Sequence, residues 1–416
     1  MVIVGAGFGG FFAARHLTRA PVDVLIIDKN NYHTFIPLLY QVAAAELDPV
    51  EIAYPIRALA RRHANISFVM DEVTGLDLPR RQVVARNGVF PYDYLILAAG
   101  SVTNFFGLPG VADHAFGLKD LPEAVALRNH VLGCFEAAAR ELPGEGRRAR
   151  LTFVVVGGGP TGVEYCGTLS ELVWQTLRQD YPEVPFEEVR ILLLEATDRL
   201  LPSLPPALGA YAQKVLARKG VEVWLGAMVT GADGHRVHLR DQPSIATRTL
   251  VWTAGVEANP LAAALGVPLA KGGRVQVTDT LQVPGFPEVY VIGDMAYVES
   301  DGRPVPQVAP AAIQQARTAA ENIRRHLAGE PLQPFRYVDK GSMVTVGRGR
   351  GIAVMAGRAV KGFGAWLAWL AVHIARLIGF RNRLYVLAAW AWSYLFQDRI
   401  RLIIRGPEPK NFFGKK

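Results

Sequence analysis

A chain of 416 residues with 50% hydrophobic and 20% charged residues can bury more than one core, which excludes disorder as its main state and predicts two or three domains. Its two cysteines, Cys134 and Cys166, are too far apart for a CxxC pair or a disulfide framework. The sequence therefore predicts no structural metal site and fits a reducing cytoplasm. The net charge of +8 favours an anionic partner. Because basic and aromatic residues interleave only in the apolar C-terminal quarter, lipid is favoured and nucleic acid is disfavoured.

The chain opens with a pattern typical of a strand, a tight turn and a helix. Val2–Val4 is an apolar run, the glycine-rich sequence GAGFGG follows at residues 5–10, and apolar residues continue from Phe11 to Leu17. The run Val24–Ile27 predicts a second buried strand, which ends at Asp28. Together these segments predict one βαβ unit with a parallel strand pair.

The same pattern returns in the middle of the chain. The strand is predicted at Leu151–Val156, the glycine-rich sequence GGGPTG at residues 157–162, and a helix from Gly162 to about Leu177. The run Ile191–Leu194 then predicts a strand that ends at Glu195. We interpret this as an internal duplication of a fold unit rather than a short repeat.

Other apolar runs end in small residues and predict further buried strands. They end at Gly100, at Gly255 and at the Gly293-Asp294 pair, and a helix-like stretch from Ala309 to Leu327 follows the last of them. A carboxylate at such a strand end could hold the ribityl or pyrophosphate part of a flavin nucleotide. A simple Gly-Asp turn is the alternative.

The two glycine-rich turns carry the main chemical signal. In a Rossmann turn the first glycine permits a tight bend, the second lets a pyrophosphate approach the backbone, and the third lets the helix pack against the strand. The phosphate then lies at the helix N-terminus, where N–H groups and the dipole favour negative charge. One GxGxxG sequence could be an ordinary glycine turn. Here each turn follows an apolar strand and opens a helix, which predicts two dinucleotide sites.

Asp28 and Glu195 follow the second strands of the two units, where a carboxylate can accept hydrogen bonds from ribose hydroxyls. Such a group repels a 2′-phosphate, so the second site should prefer NADH to NADPH, although Arg199 leaves this preference open. An exposed acid at a strand end is the alternative. Glu195 lies further from its glycines than usual, which predicts an excursion between residues 178 and 190.

Two dinucleotide sites in one chain indicate a flavin and a nicotinamide, because a hydride passes between two rings held face to face. Five further segments are more specific than the glycine turns alone: Asn31–Ala43, Gly159–Glu164, Tyr290–Asp294, Gly379–Arg383 and Trp390–Leu395. With these segments the chain resembles the type II NADH:quinone oxidoreductases over essentially its whole length.

The resemblance implies a monotopic membrane enzyme that holds FAD without a covalent bond, oxidises NADH and reduces a membrane quinone without pumping protons. By motif, FAD would be held by Gly5, Gly7, Gly10, Asp28 and Asp294, and NADH by Gly157, Gly159, Gly162 and Glu195. Gly9, Lys29, Gly100, Gly255 and Gly293 complete the predicted cofactor-binding set.

The resemblance also implies reacting residues. Glu164 would lie near the flavin and nicotinamide rings, and a capping carboxylate in the first helical turn is its alternative role. The family's quinone-side motif often carries a glutamine where this chain has Pro310, which suits a first helical position. Gln314 and Gln315 remain as candidate contacts to a quinone carbonyl, and Lys340 is a weaker candidate.

The expected fold is α/β, with two Rossmann-like dinucleotide-binding domains and a C-terminal amphipathic helical region that anchors the chain to a membrane. Residues 1–115 and 265–345 would form the FAD-binding domain, residues 116–264 the NADH-binding domain, and residues 346–416 the membrane-interface region. The alternative functions are a sulfide:quinone oxidoreductase or another FAD/NAD(P)-dependent reductase of the same fold, and a signalling flavoprotein. The first would need two reactive cysteines beside the flavin.

The C-terminal region contains two apolar stretches, 363–380 and 384–396, and both are too short to span a bilayer. Aromatic residues prefer the lipid–water boundary, so we expect amphipathic helices in the interface of an anionic bilayer, across residues 363–405, on the cytoplasmic face. A buried pair of dimerisation helices is the alternative, and a homodimer is compatible with both. The residues expected at the interface are Trp366, Trp369, Trp390, Trp392, Tyr394, Arg376, Arg381, Arg383, Arg399, Arg401 and Arg405.

Overall fold

The computed structural model describes residues 1–355, 357–396 and 399–403. Residues 404–416 of the predicted membrane-interface region, Arg405 among them, lie outside the described residues. Close contacts divide the chain into two compact units. The first comprises Met1–Phe35, Ala53–Asn104 and Gly255–Gly341, and the second comprises Ile36–Ile52, Phe105–Ala254 and Ser342–Lys416.

The first unit is built on a six-stranded sheet whose strands are parallel except for one edge strand. The apolar strands Val2–Val4 and Val24–Asp28 contact the helix Phe8–His16, which connects them as in a βαβ unit. The N-terminal strand lies between its two parallel neighbours, in register Ile3 with Ile26 and Ile96. In sheet order the strands are Gln282–Val283, Phe286–Val291, Leu95–Leu97, Val2–Val4, Val24–Asp28 and Ile66–Met70.

Two helices of the first unit pack against each other, Phe8–His16 and Ala309–Leu327. The buried face of the second helix is mostly alanine, which allows close approach of the two backbones. Short antiparallel elements complete this unit: Tyr32–Thr34 with Ala53–Pro55, Val73–Asp77 with Gln82–Ala85 and Gly88–Pro91, Ser101–Thr103 with Val256–Ala258, Leu269–Ala270 with Arg274–Gln276, and Glu299–Ser300 with Arg303–Pro304.

The second unit repeats the arrangement with a five-stranded parallel sheet. In sheet order its strands are Ala115–Phe116, Thr249–Trp252, Thr152–Val156, Arg190–Glu195 and Val221–Leu225. Its main helices are Leu121–Ala138, Pro160–Glu171, which continues as a π-turn over Leu172–Leu177, and Pro206–Arg218. Two antiparallel sheets accompany them: Val229–Ala232, Arg236–Leu239 and Gln242–Ala246, then Ser342–Thr345, Gly351–Met355 and Arg358–Gly362.

The last two helices of the described residues are the C-terminal helices, Phe363–Arg376 and Phe380–Phe396. The first of them packs on the strand Gly351–Met355. Within the described ranges, none of the helices combines the length and the apolarity that crossing a bilayer requires.

The predicted α/β class with two Rossmann-like halves is confirmed. The first helix begins at Phe8 rather than Phe11, because the Phe11 N–H already donates to the Gly7 carbonyl. The expected excursion after residue 178 is also present, as short helical turns between the π-turn and the strand Arg190–Glu195. The assignment of FAD and NADH to particular domains concerns bound cofactors and stays a prediction.

Candidate dinucleotide and redox site

The first glycine turn, residues 5–10, has the geometry of a nucleotide-binding turn. Gly5 has a φ of +93°, and a Cβ added there would lie 2.5 Å from the Ala98 carbonyl oxygen. A Cβ on Gly10 would collide with the Gly5 carbonyl oxygen, whereas a Cβ on Gly7 would meet nothing within 4 Å. The first and third glycines are therefore required for packing. The open space at the second glycine is where a pyrophosphate can approach the backbone.

In the second glycine turn, residues 157–162, the first and third glycines are again required for packing and the second again faces open space. Gly157 has a φ of +110° and packs against the backbone at Ala254. A Cβ on Gly162 would collide with the Gly157 carbonyl oxygen, and Gly159 again faces open space. Pro160 occupies the first helical position, where its missing N–H costs no hydrogen bond. Both turns thus fit a dinucleotide.

The acids at the two strand ends make matching contacts with the backbone. Asp28 accepts hydrogen bonds from the Ala6 N–H at 2.6 Å and the Asn30 N–H at 2.7 Å. Glu195 accepts from the Gly158 N–H at 2.6 Å and the Thr197 N–H at 2.8 Å. Burial raises the pKa of Asp28, and the two backbone hydrogen bonds oppose this. Each carboxylate is fixed beside its turn and keeps lone pairs for ribose hydroxyls.

Other predicted residues of the first unit meet at the Gly293-Asp294 turn. Asp294 accepts a 2.5 Å hydrogen bond from the Ser101 hydroxyl, which follows Gly100. The Gly293 N–H donates to the buried Gln315 side chain at 2.6 Å. Gln315 therefore supports this turn, a role that the sequence did not suggest.

The remaining predicted positions make other contacts. The Gln314 side-chain amide donates a hydrogen bond to the Val338 carbonyl at 3.1 Å and accepts one from the Val338 N–H at 2.9 Å. The Gly255 carbonyl accepts from the Asn104 N–H at 3.1 Å. Lys29 and Lys340 are exposed. None of these contacts identifies a quinone-binding group, so the roles of Gln314, Gln315 and Lys340 stay predictions.

His33, which lies within the segment Asn31–Ala43, contacts the first glycine turn. Its ring is buried against Phe8 and Phe11, and its Nδ1 lies 2.9 Å from the Ala6 carbonyl oxygen. Burial lowers the pKa of His33 to about 4, so the ring is neutral at pH 7. A neutral Nδ1–H donating to Ala6 fixes the turn without adding charge.

Glu164 does not cap the second nucleotide helix, and the capping alternative is wrong. The helix begins at Pro160 and has no acidic residue in its first turn. The Glu164 carboxylate instead accepts a hydrogen bond from the Thr345 N–H at 3.2 Å. Burial raises the pKa of Glu164 to about 8. At pH 7 it is mostly a neutral carboxylic acid that can donate a proton.

A hydrogen-bonded series links Thr345 to residues far away in sequence. The Trp390 indole N–H donates to the Gln41 amide oxygen at 2.9 Å. The Gln41 amide nitrogen donates to the Tyr40 hydroxyl at 3.2 Å, and that hydroxyl lies 2.8 Å from the Thr345 hydroxyl. Either hydroxyl of the Tyr40–Thr345 pair can donate to the other. The sequence gave no sign of this series, apart from the segment Asn31–Ala43, which contains Tyr40 and Gln41.

A buried ion network lies at the end of the second nucleotide helix. Glu171 is 4% exposed and bonds Lys219 at 2.6 Å and Arg399 at 3.0 Å. It also accepts from the Arg348 N–H at 2.6 Å. The Arg348 guanidinium in turn lies 3.5 Å from the centre of the Tyr394 ring. Arg399 is therefore an internal ion partner and not a lipid-facing cation, which corrects the prediction for this residue.

Both cysteines are free and buried. Burial raises the pKa of the Cys134 thiol and that of the Cys166 thiol. A thiol whose pKa is raised contributes almost no thiolate at neutral pH, and the thiolate is the nucleophile. Neither residue therefore fits the reactive cysteine that a sulfide:quinone oxidoreductase would need.

The comparisons with known proteins agree with this geometry. The family model for pyridine nucleotide-disulphide oxidoreductases matches residues 1–316. The chain is 41% identical over 419 residues to the type II NADH:quinone oxidoreductase Ndh of Mycobacterium tuberculosis, which covers 97% of this chain and 90% of the relative. The fold and its two turns thus define a pyridine nucleotide-disulphide oxidoreductase. Within that class, the chain belongs to the type II NADH:quinone oxidoreductase family.

Two solved structures share the fold. NDH2 from Plasmodium falciparum in complex with NADH superimposes with a TM-score of 0.89 at 20% identity, over 97% of this chain and 99% of that chain. The sulfide:quinone oxidoreductase of Aquifex aeolicus reaches a TM-score of 0.73 at 16% identity, over 96% and 95% of the two chains. The architecture is therefore common to several chemistries, and the site residues distinguish among them.

Proposed function

We propose that this chain oxidises NADH and reduces a membrane quinone through bound FAD, without pumping protons. One observation carries the proposal: two glycine turns in one chain, each closed by an acid with the same pair of backbone hydrogen bonds. Membership of the type II NADH:quinone oxidoreductase family supports the choice of substrates. The wider membership of the fold makes a sulfide:quinone oxidoreductase the second candidate, which the buried thiols disfavour.

The two turns take different nucleotides in this proposal. The first turn, with Asp28 and Asp294, holds FAD permanently, within residues 1–115 and 265–345. The second turn, with Glu195, exchanges NADH, within residues 116–264. FAD, when bound, supplies a carrier that accepts two electrons from one substrate and passes them to another.

The chain itself supplies orientation and protons. The N–H groups at each helix start face the phosphates, and the acids hold the ribose hydroxyls. In this proposal Glu164, which is neutral at pH 7, donates a proton to a reacting group. Gln314, Gln315 and Lys340 stand as candidate contacts to the quinone carbonyls, with Gln315 also supporting the Gly293-Asp294 turn.

Stopped-flow absorbance of the purified flavoprotein tests this function. Mixing with NADH should bleach the flavin absorbance rapidly, and a soluble quinone added afterwards should restore it. Fast bleaching without reoxidation by menaquinone or ubiquinone analogues would contradict the proposal and leave the signalling flavoprotein. Bleaching by sulfide in place of NADH would support the sulfide:quinone alternative.

We infer that the C-terminal helices bind the surface of an anionic bilayer at the cytoplasmic face. In the helix Phe380–Phe396 the buried residues include the polar Asn382 and Ser393, whereas most large exposed side chains are apolar. A helix that faces water has the opposite distribution. The exposed apolar side chains of both helices are Phe363, Leu367, Phe380, Leu384, Tyr385, Leu387, Trp392, Tyr394, Leu395 and Phe396.

The structure corrects several residues of the predicted interface. Trp366, Trp369 and Trp390 are 7%, 1% and 5% exposed, so they belong to the core of the second unit and not to its surface. The Arg383 guanidinium bonds the Leu377 and Ala375 carbonyls. Arg401 pairs with Asp180 at 2.8 Å. Arg376 and Arg381 remain exposed beside the apolar surface, where they can contact anionic headgroups.

Changing Leu384 and Leu395 together to glutamate should weaken binding to anionic phosphatidylglycerol vesicles at least about tenfold, because burying each leucine contributes about 1.5–3 kcal/mol. Cosedimentation measures the bound fraction. Leu142→Glu is the matched control, since Leu142 is 84% exposed in a loop outside the C-terminal helices. Equal binding of the double variant and the wild type would contradict the lipid proposal. A dimer seen by sedimentation velocity that the double variant dissociates, without vesicle binding by either protein, would assign the helices to a homodimer.

A further inference from the structure

The first unit contains a buried arginine that the proposed function leaves without a role. Arg274 begins the strand Arg274–Gln276 and is 8% exposed. Among the described residues, its guanidinium group donates to backbone carbonyl oxygens and forms no ion pair. Removing a charge from water is costly unless an opposite charge compensates for the lost hydration. Such a cation is therefore stabilised only if negative charge lies nearby.

Arg274 holds the segment that follows the turn containing Asp294. Its Nε donates to the Ala296 carbonyl at 2.9 Å, and its Nη2 donates to the Val305 carbonyl at 3.0 Å. These two carbonyl groups lie on either side of the hairpin 299–304. Because one guanidinium group bonds both of them, Arg274 fixes the two ends of the hairpin relative to each other. One of these ends is two residues from Asp294.

A second side chain holds the same turn from beyond the hairpin. The Gln307 amide donates to the main-chain carbonyl of Asp294 at 2.9 Å. The Asp294 carboxylate accepts from the Ser101 hydroxyl at 2.5 Å. Both the main chain and the side chain of Asp294 are thus held by residues distant in sequence. Arg274 and Gln307 differ in one respect that an experiment can separate, since only Arg274 carries a charge.

The carboxylate of Asp294 is the negative charge that acts on Arg274. Burial lowers the pKa of the Arg274 guanidinium, whereas the charges of Asp294 and Tyr297 raise it. An arginine side chain remains protonated at neutral pH. The Arg274 Cζ atom also lies 5.2 Å from the centre of the Tyr297 ring, whose face attracts a cation. A buried positive charge therefore acts on the carboxylate that is proposed to hold FAD.

FAD matches this charge in two ways. Its pyrophosphate is an anion, and the first glycine turn leaves open space for that group at Gly7. In addition, acceptance of a hydride adds one negative charge to a flavin, because a hydride carries two electrons and one proton. A buried cation stabilises the more negative form of a neighbouring group. The residues beside Asp294 therefore fit the cofactor in charge as well as in shape.

We propose that Arg274 is a positioning residue of the FAD site, which fixes the Asp294 turn and supplies a buried positive charge that favours both the binding and the reduction of FAD. This inference rests on the proposed role of the first glycine turn in holding FAD. Gln307 shares the first task and not the second, because its amide is neutral. Loss of the Arg274 charge should therefore change the midpoint potential of bound FAD, whereas loss of the Gln307 amide should not.

The test measures two quantities: the midpoint potential of bound FAD, by anaerobic titration with dithionite and a reference dye, and the dissociation constant of FAD from the apoprotein. Arg274→Met should make flavin reduction about tenfold less favourable, which is the lower end of the effect of an opposite charge on a neighbouring group. For a two-electron couple this lowers the potential by about 30 mV. FAD affinity should fall about tenfold or more, because two carbonyl groups lose a charged donor.

Three further variants separate charge from structure. Arg274→Lys keeps the charge but lacks the planar fork that reaches both carbonyl groups, so it should bind FAD more weakly and keep the wild-type potential. Gln307→Met should do the same. Arg303→Met is the matched control, because Arg303 is an exposed arginine of the same hairpin. It should change neither quantity.

Circular dichroism of each apoprotein shows whether it folds, and Arg274→Gln, which keeps one donor without the charge, takes the place of Arg274→Met if that variant does not fold. A folded variant without the charge that takes up no FAD, while Arg274→Lys does, would support the proposal as a lowered potential would. A wild-type potential in the variants without the charge would overturn it and leave Arg274 a structural role alone. The titration uses neither NADH nor quinone. Failure of the wild type to bind FAD, or of NADH to reduce it, would instead contradict the proposed function.

Discussion

Gly10→Ala should give a protein that no longer retains FAD. The added Cβ would collide with the Gly5 carbonyl oxygen, and this backbone atom cannot move aside as the end of a flexible side chain could. Overpacking of this kind costs about 1–3 kcal/mol even where side chains can adjust. The turn would have to open, and the N–H groups that face the pyrophosphate would move with it. We expect FAD affinity to fall by at least about tenfold, with activity lost in proportion.

The measurement is the ratio of flavin to protein absorbance after purification, followed by titration with added FAD. Gly133→Ala provides the matched control, because Gly133 also lies within a helix but a Cβ there meets nothing within 4 Å. That change should leave flavin content unaltered and stabilise the helix by up to about 1 kcal/mol. Full flavin content and normal FAD affinity in Gly10→Ala would contradict the assigned role of the first turn.

Glu195→Gln should reduce the preference for NADH over NADPH by about tenfold to a hundredfold. The change removes the charge that repels a 2′-phosphate while keeping one oxygen for the Gly158 or Thr197 N–H. NADH also loses hydrogen bonds from its ribose to a charged carboxylate. A hydrogen bond to a charged group contributes about 1.5–3 kcal/mol, so the kcat/KM for NADH should fall by about tenfold to a hundredfold. Arg199 becomes available to a 2′-phosphate, since its present contact is a single 3.2 Å hydrogen bond to the Pro202 carbonyl.

Steady-state kcat/KM for each nucleotide, with one quinone held at a fixed concentration, gives the preference directly. Glu222→Gln is the control: Glu222 lies on the neighbouring strand and pairs with Arg190 at the surface, away from the turn. Its nucleotide preference should match the wild type. An unchanged NADH preference in Glu195→Gln would mean that another group selects the nucleotide at the second turn.

The sequence by itself determined the backbone of the nucleotide sites. The spacing of glycines after an apolar strand specifies a turn that only glycine can form, and this constraint acts within a few residues. The acids Asp28 and Glu195 were found because each directly follows the apolar run of the next predicted parallel strand. The strands and the long helices were likewise predicted from local apolar patterns.

Only the tertiary structure decided which polar groups are buried and what they contact. The capping role for Glu164 failed because its partner, Thr345, lies 181 positions away. Tyr40 and Thr345 are separated by 305 positions, so no local pattern could have indicated their hydrogen bond. Burial raises the pKa of Glu46 to about 6, and this pKa is further adjusted by the charges of Arg399, Glu171, Arg348 and Lys219, which come from separate elements of the second unit.

The C-terminal helices show the same division. Their apolar, aromatic composition predicted amphipathic helices, but composition could not say which face is buried. Packing placed Trp369 and Trp390 inside and left Leu384 and Leu395 outside. Local sequence thus fixes turns and helices through short-range sterics, whereas burial and electrostatics depend on atoms brought together by the whole fold.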